Sequence, residues 1–379
     1  MLFRSAYLGV AAYEAEASGS SDLQSLAGQL KDLKPLPKRT ANLTYDDTIV
    51  MNAAMGTMVQ SLFQNTGPTG QRVLSAMLAK KIPSQVNKAT RMRSEKYGKA
   101  LAKHILNWAS TDGGAVINNM GFPASFTLTS GPGHWVPTTA IRLQQMPLLP
   151  GWGDNRTFAV PDSANCPLPQ PPAYSEDKTS DYYKQAFETY TEKQNLTADH
   201  RVIARFWSDD AMLSVTPPGH WISIAWQIFD HDKIDLQKSV DVLARLGIAQ
   251  ADAFIGCWRS KFQFNTMRPI TYIRKVFDPK WDPLLITPPF PEYPSGHSVV
   301  SGAAATVLTA AFGDHYVFDD ATGSRDGLLP RHFESFQAAA EEAGISRLYG
   351  GIHFRAAIED GLTQGRCIGK FANALRTKK

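Results

Sequence analysis

Apolar residues recur at three- and four-residue spacing through most of this chain, and that period commits it to helices. The pattern holds near 45–64, 69–81, 89–110, 178–193, 197–212, 219–229, 235–260, 297–312, 331–349 and 354–376. No stretch alternates apolar and polar residues between hairpin turn signals, so the expected fold is all-α, a helix bundle. With 379 residues, 43% of them hydrophobic, a large buried core is within reach. We expect an N-terminal helical half over 1–199 and a C-terminal helix bundle over 200–379, packed as one compact unit. Between 111 and 177 Gly, Pro, Thr and Asn dominate and no helical face persists. Trp135 and Trp152 in that stretch predict that it packs across the bundle as a wall or lid rather than hanging free. A second irregular segment, 277–296, joins two of the strongest helices.

Several function classes are excluded early. The net charge of +4 is spread without a Lys/Arg run, which argues against nucleic acid as a partner. The longest apolar stretch, Val299 to Phe312, is broken by Ser301, Gly302 and Thr309 and is too short to span a membrane. The first residues read as the opening turns of an amphipathic helix or the cut end of a longer chain, not as a signal peptide. The compartment is therefore undetermined, secreted and periplasmic placements included. Cys166, Cys257 and Cys367 lack CxxC spacing, which rules out a zinc ribbon and allows one disulfide at most. Three unpaired, buried thiols are expected. A Gly-His-Trp triplet occurs twice, at 133–135 and 219–221, without matching surroundings.

Three short blocks in the last third carry the chemistry. Lys261 and Arg268-Pro269 end a long amphipathic helix. Pro294-Ser295-Gly296-His297 opens a small-residue helix. Ser346-Arg347 and His353 flank a Gly-Gly break. Arg268 and Arg347 offer planar forks that match an oxyanion, and Lys261 adds a compact charge. Ser295 stands where a helix cap belongs, with the first N–H groups of the helix free to face an anion. Gly296 lets that anion approach the backbone. Each block alone has an ordinary explanation as a cap, a helix end or a core histidine; their joint order and spacing describe a cradle for one tetrahedral oxyanion.

Lys-x6-Arg-Pro, Pro-Ser-Gly-His and Ser-Arg-x5-His together resemble the signature shared by vanadium-dependent haloperoxidases and the type-2 phosphatidic acid phosphatase superfamily. The resemblance implies a helix-bundle fold with the site at one end of a C-terminal four-helix core. It implies vanadate as cofactor, with phosphate able to occupy the same place. In the haloperoxidase reading His353 is the vanadium ligand, and Lys261, Arg268, Ser295, the Gly296 N–H and Arg347 bind the oxygens. His297 is then the acid–base, Lys261 polarises hydrogen peroxide, and a halide or small organic acceptor is the second substrate. In the phosphatase reading His353 is a nucleophile that forms a phosphohistidine and His297 protonates the leaving group. A third, non-catalytic reading is a phosphate-binding scaffold, against which the two histidines argue.

Trp258 and Phe290 match positions where chloroperoxidase-like members carry aromatic residues beside the site, which favours the haloperoxidase reading. Asp210 resembles the acidic residue that contacts the acid–base histidine, and Asp209 is equally placed for it. One position departs from the family: the Asp expected four residues after His353 is Ala357. A backbone carbonyl is the expected substitute for it, and the loss is expected to harm a nucleophilic histidine more than a coordinating one. Oligomeric state is not legible, a homodimer being one expectation for a helical-bundle enzyme of this size.

Overall fold

The computed structural model describes all residues except 1, 65, 80–84, 115–120, 140–144, 162–165 and 210–214. Twelve α-helices occur among the described residues. In the N-terminal half they are α1 (Leu2–Ala17), α2 (Asp47–Leu62), α3 (Gly67–Leu78), α4 (Lys88–Ala109) and α5 (Asp181–Gln194). Then come α6 (Ala198–Phe206), α7 (Pro217–His231), α8 (Leu236–Phe264) and α9 (Pro269–Val276). The last are α10 (Gly296–Phe312), α11 (Phe336–Tyr349) and α12 (Arg355–Asn373). The all-helical reading holds, with small departures. Residues expected to begin a helix at 331 instead form a strand, β2 (Arg331–Phe333), antiparallel to β1 (Phe318–Asp320). The short helix α9 had too few residues to show a period. The helix expected to reach 212 ends at Phe206.

Helix α10 is the centre of the C-terminal bundle, packed by α12, α11, α8 and α7. Its small side chains let α12 approach at backbone distance: a Cβ on Gly365 would lie 2.1 Å from the Val299 carbonyl, and one on Gly302 2.5 Å from that of Leu362. Neither position accepts a side chain without separating the two helices. The N-terminal helix α1 packs along α8, and one apolar cluster runs from Ala6 to Leu375, including Val10, Trp221, Leu246, Val300 and Ile358. None of the described helices is long and apolar enough to cross a membrane.

The irregular stretch after α4 is held against this core at several points. Trp135 and Trp152 are each 1% exposed. Trp135 N–H donates to Asn265 O, and Met267 N–H to Gly133 O, so the first Gly-His-Trp triplet lies along the α8–α9 turn. A disulfide joins Cys166 to Cys367 on α12, leaving Cys257 as a buried thiol. The expectation of three free thiols is thus corrected; the pairing spans 201 residues and depends on how the irregular stretch crosses α12, which spacing does not encode. Breaking the bond with Cys166→Ser should lower unfolding free energy by about 2–5 kcal/mol, because a long loop is released in the unfolded chain. Urea titration of the variant, and of the native protein with and without reductant, checks this; overlapping curves would refute it.

Candidate active site

Each basic residue reaches the site from a helix end. Asn265, in the left-handed conformation (φ 49°), stops α8 just after Lys261, and Arg268 caps α9 ahead of Pro269. Gly351 (φ 73°) breaks the chain after α11, so that Arg347 in the last turn and His353 beyond it face one volume. Ser295 caps α10, its Oγ accepting from Ser298 N–H at 3.3 Å, while its own N–H donates to Ala357 O at 2.9 Å. An N-cap of this kind is worth about 1 kcal/mol. Lys261, Arg268, Ser295, Arg347 and His353 are all buried.

The hydrogen bonds assign the protons. Arg268 Nη1 lies 3.1 Å from His353 Nε2, and a guanidinium only donates, so Nε2 carries a lone pair. The proton sits on Nδ1, which donates to Glu292 Oε1 at 2.9 Å. Burial, and then the charges of Arg268, Lys261 and Arg347, hold His353 neutral, well below the usual imidazole range. The same argument applies to His297: Arg347 Nη1 donates to its Nε2 at 2.6 Å, and burial and Arg347 keep it neutral.

Glu292 was missed by the sequence reading and corrects the expectation at position 357. No backbone carbonyl receives the His353 ring N–H; the Glu292 carboxylate does, and it also accepts Phe354 N–H at 2.9 Å. Asp360, further along α12, accepts from the Tyr293 hydroxyl instead. The available signal was that Glu292 is the single acidic residue between Asp282 and Asp314, in the proline-rich run leading to His297. Since the carboxylate is present after all, Ala357 no longer separates a coordinating from a nucleophilic His353.

Lys261 lies beneath the loop that carries Glu292. Its ammonium donates to the carbonyls of Pro291 (2.9 Å), Glu292 (2.9 Å) and Pro294 (2.5 Å). Arg268 Nε donates to Phe290 O and Nη1 to Ile352 O, both at 2.8 Å. Phe290 lies under two cations, Lys261 Nζ at 5.2 Å and Arg268 Cζ at 5.0 Å from the ring centre. Trp258 closes the wall, its ring 4.8 Å from Phe290 and 3.7 Å from Phe254. Gly296 lies beside this wall; a Cβ there would meet Trp258 at an ordinary 3.7 Å, so packing alone does not demand glycine.

Asp210 lies outside the described residues. Its neighbour Asp209 places Oδ2 3.7 Å from His297 Nε2. Arg347 Nη1 also donates to Trp207 O at 2.7 Å, so the segment before Asp209 encloses both His297 and Arg347. Thus Lys261, Arg268, Ser295, Gly296, His297, Arg347, His353, Trp258 and Phe290 fall in one region, with Glu292 and Asp209 behind the two histidines.

The bundle thus gathers three basic side chains and two neutral imidazoles, His353 buried and His297 partly so, around one helix N-terminus. The family profile described as VCPO second helical-bundle domain matches residues 241–378. The crystal structure of a bacterial vanadium-dependent iodoperoxidase is 37% identical and superposes with TM-score 0.88, covering 100% of this chain and 91% of that one. A holo-type bacterial vanadium-dependent chloroperoxidase shares the fold at 16% identity and TM-score 0.78, over 99% of this chain and 90% of the other. Vanadium chloroperoxidase of Curvularia inaequalis is 24% identical over 40% of this chain, a match spanning only 35% of that longer protein. The chain belongs to the vanadium-dependent haloperoxidase family.

Proposed function

We propose that the protein is a vanadium-dependent haloperoxidase that binds vanadate at His353 and oxidises halide with hydrogen peroxide, directly or toward a small organic acceptor. The observation that carries anion ligation at His353 is its tautomer: a neutral ring offers its Nε2 lone pair among the cations while Glu292 holds Nδ1–H. The 37% identity to a vanadium-dependent iodoperoxidase favours the peroxidase over the phosphatase. The residues present fit an oxyanion, because Arg268 Nη2 is buried and has no hydrogen-bond partner among the described residues. A buried guanidinium N–H left unpaired is costly, and an anion oxygen would satisfy it.

Bound vanadate would supply a Lewis-acidic centre that activates hydrogen peroxide toward halide. The protein's part is electrostatic and positional. Arg268, Arg347 and Lys261 hold negative charge in a buried volume where each cation counts for more than in water. Ser295 and the Gly296 N–H add donors at the N-terminus of α10, and the absence of a side chain at 296 leaves room for an oxygen there. With vanadate bound, His297 would accept and return a proton at Nε2, the nitrogen that carries its lone pair, and Asp209 Oδ2, 3.7 Å away, would stabilise the protonated ring. Trp258 and Phe290 would exclude water from their side of the cradle.

Anion binding should weaken above neutral pH. Burial lowers Lys261 to about 7 and raises Glu292 to about 7. Above pH 7 the empty site therefore loses a positive charge and gains a negative one, both opposing an anion, and binding must take up protons. Sulfate, whose charge is constant across this range, should lose affinity by up to about tenfold per pH unit above 7 for each proton taken up. Calorimetric titration from pH 6 to 9 reads it; a flat affinity would refute the charge assignment.

The function is tested on one purified sample split in two. With orthovanadate, iodide or bromide and hydrogen peroxide, halogenation of an indicator dye should appear and be suppressed by excess phosphate. Without vanadate, an aryl phosphate should be stable. Phosphate release inhibited by vanadate, with no halogenation, would instead make His353 a nucleophile and the protein a phosphatase.

A further inference from the structure

The second Gly-His-Trp triplet, at 219–221, puts His220 on the first turn of α7, 1% exposed and away from the anion cradle. Its Nδ1 lies 2.9 Å from Asp209 Oδ1 and its Nε2 2.7 Å from Asp320 Oδ2. The ring stacks on Trp207, 4.3 Å between centres at 19°. Asp320, at the end of β1, is itself fixed by Thr322 N–H (2.9 Å) and the Gln227 amide (3.3 Å) on its other oxygen. Both ring nitrogens face carboxylate oxygens, so both donate, and no lone pair is left for a metal.

The consequence falls on Asp209. That residue is held in the left-handed conformation (φ 48°), 7% exposed, with Oδ1 taken by His220. Its Oδ2 is buried without a hydrogen-bond partner among the described residues and stands 3.7 Å from His297 Nε2. A carboxylate free to rotate would turn its second oxygen to the nearest donor; one clamped at Oδ1 cannot.

The geometry points to His220 as a positioning residue of the acid–base arm: anchored by Asp320, it clamps Asp209 so that Oδ2 stays aimed at His297. This rests on the haloperoxidase reading for the role of His297 and adds a residue to it. Burial opposes a charge on His220, but the Asp209 and Asp320 carboxylates outweigh burial and push it up to about 10, so the clamp stays cationic through neutral pH.

The two amide residues separate the contacts. Asparagine reproduces the Nδ1 donor toward Asp209, and glutamine the Nε2 donor toward Asp320. Each is combined with Asp320→Asn, so that losing the imidazolium leaves no second carboxylate unpaired. In vanadate-loaded protein, kcat of His220→Gln/Asp320→Asn should fall about 10- to 100-fold below that of His220→Asn/Asp320→Asn. Phosphate affinity of the vanadate-free forms should agree between the two within about threefold, since the cradle is untouched. Equal kcat in two folded variants, or a loss that tracks phosphate affinity, would overturn the proposal. Nitrogen-15 histidine spectra of the vanadate-free protein give a readout independent of halide oxidation. His220 should show two protonated ring nitrogens at pH 8 in the native protein, and His297 signals should move in the Gln form relative to the Asn form. A neutral His220, or His297 signals unchanged between the forms, would overturn the clamp even in a protein that oxidises halide. Absence of halide oxidation in the native protein, with these spectral changes present, would remove the haloperoxidase reading and leave the clamp standing.

Discussion

Arg268→Ala and Arg347→Ala should each weaken vanadate and phosphate binding by about 100- to 10,000-fold, the factor expected when one partner of a buried charge interaction is removed. The two substitutions differ in how they fail. Arg268 joins Phe290 O, Ile352 O and His353 Nε2, and Nη2, without a partner among the described residues, is the donor left over for an anion. Its loss removes that donor and releases the His353 ring at once. Arg347 holds Trp207 O and His297 Nε2, so its loss also disturbs the acid–base arm. Lysine at either place keeps the charge and loses the fork, and should recover only a minor part of the affinity. Calorimetry with phosphate and tryptophan fluorescence with vanadate measure the binding, and circular dichroism checks the fold. A folded Arg347→Ala protein that still binds both anions at native affinity would remove that residue from the site.

Glu292→Ala should cost about 10- to 100-fold in vanadate affinity, the usual consequence of losing the group that orients a ligand histidine. It also strands two buried donors, His353 Nδ1–H and Phe354 N–H, which should lower stability by about 1–3 kcal/mol. Glu292→Gln keeps an acceptor and should retain most of the stability while weakening the pull on the ring proton. The sharper experiment uses the vacancy on α12. A cavity of ≈ 20 Å³ is lined by Glu292, Phe354 and Ala357 together. An aspartate at 357 should therefore enter it and restore part of the lost affinity in the Glu292→Ala background. A Glu292→Ala protein with native vanadate and phosphate affinity would show that the carboxylate does not orient His353.

The sequence by itself determined the helices and the three basic blocks, because both are local. A three- to four-residue period survives any tertiary arrangement, and Lys261 to Arg268, Ser295 to His297, and Arg347 to His353 each lie within a turn or two of one helix end. Once helix caps and breaks are readable, covalent geometry alone brings those side chains to the ends of their elements.

Only the tertiary structure decided what stands behind that first ring of residues. Glu292 reaches His353, Asp209 reaches His297, His220 joins Asp209 to Asp320, and Cys166 meets Cys367. Apart from Asp209 and His220, eleven residues apart, these pairs are distant in sequence, and their partners lie on segments without a helical period or on helices whose azimuth is set by packing. The close approach of α10 and α12 through Gly302 and Gly365 brings Ala357 O to Ser295 N–H and so sets the cap of α10 at the cradle. An orienting carboxylate can come from any segment that passes within 3 Å of a ring nitrogen. Sequence position names the candidates for that role, and the packing of the irregular loops chooses among them.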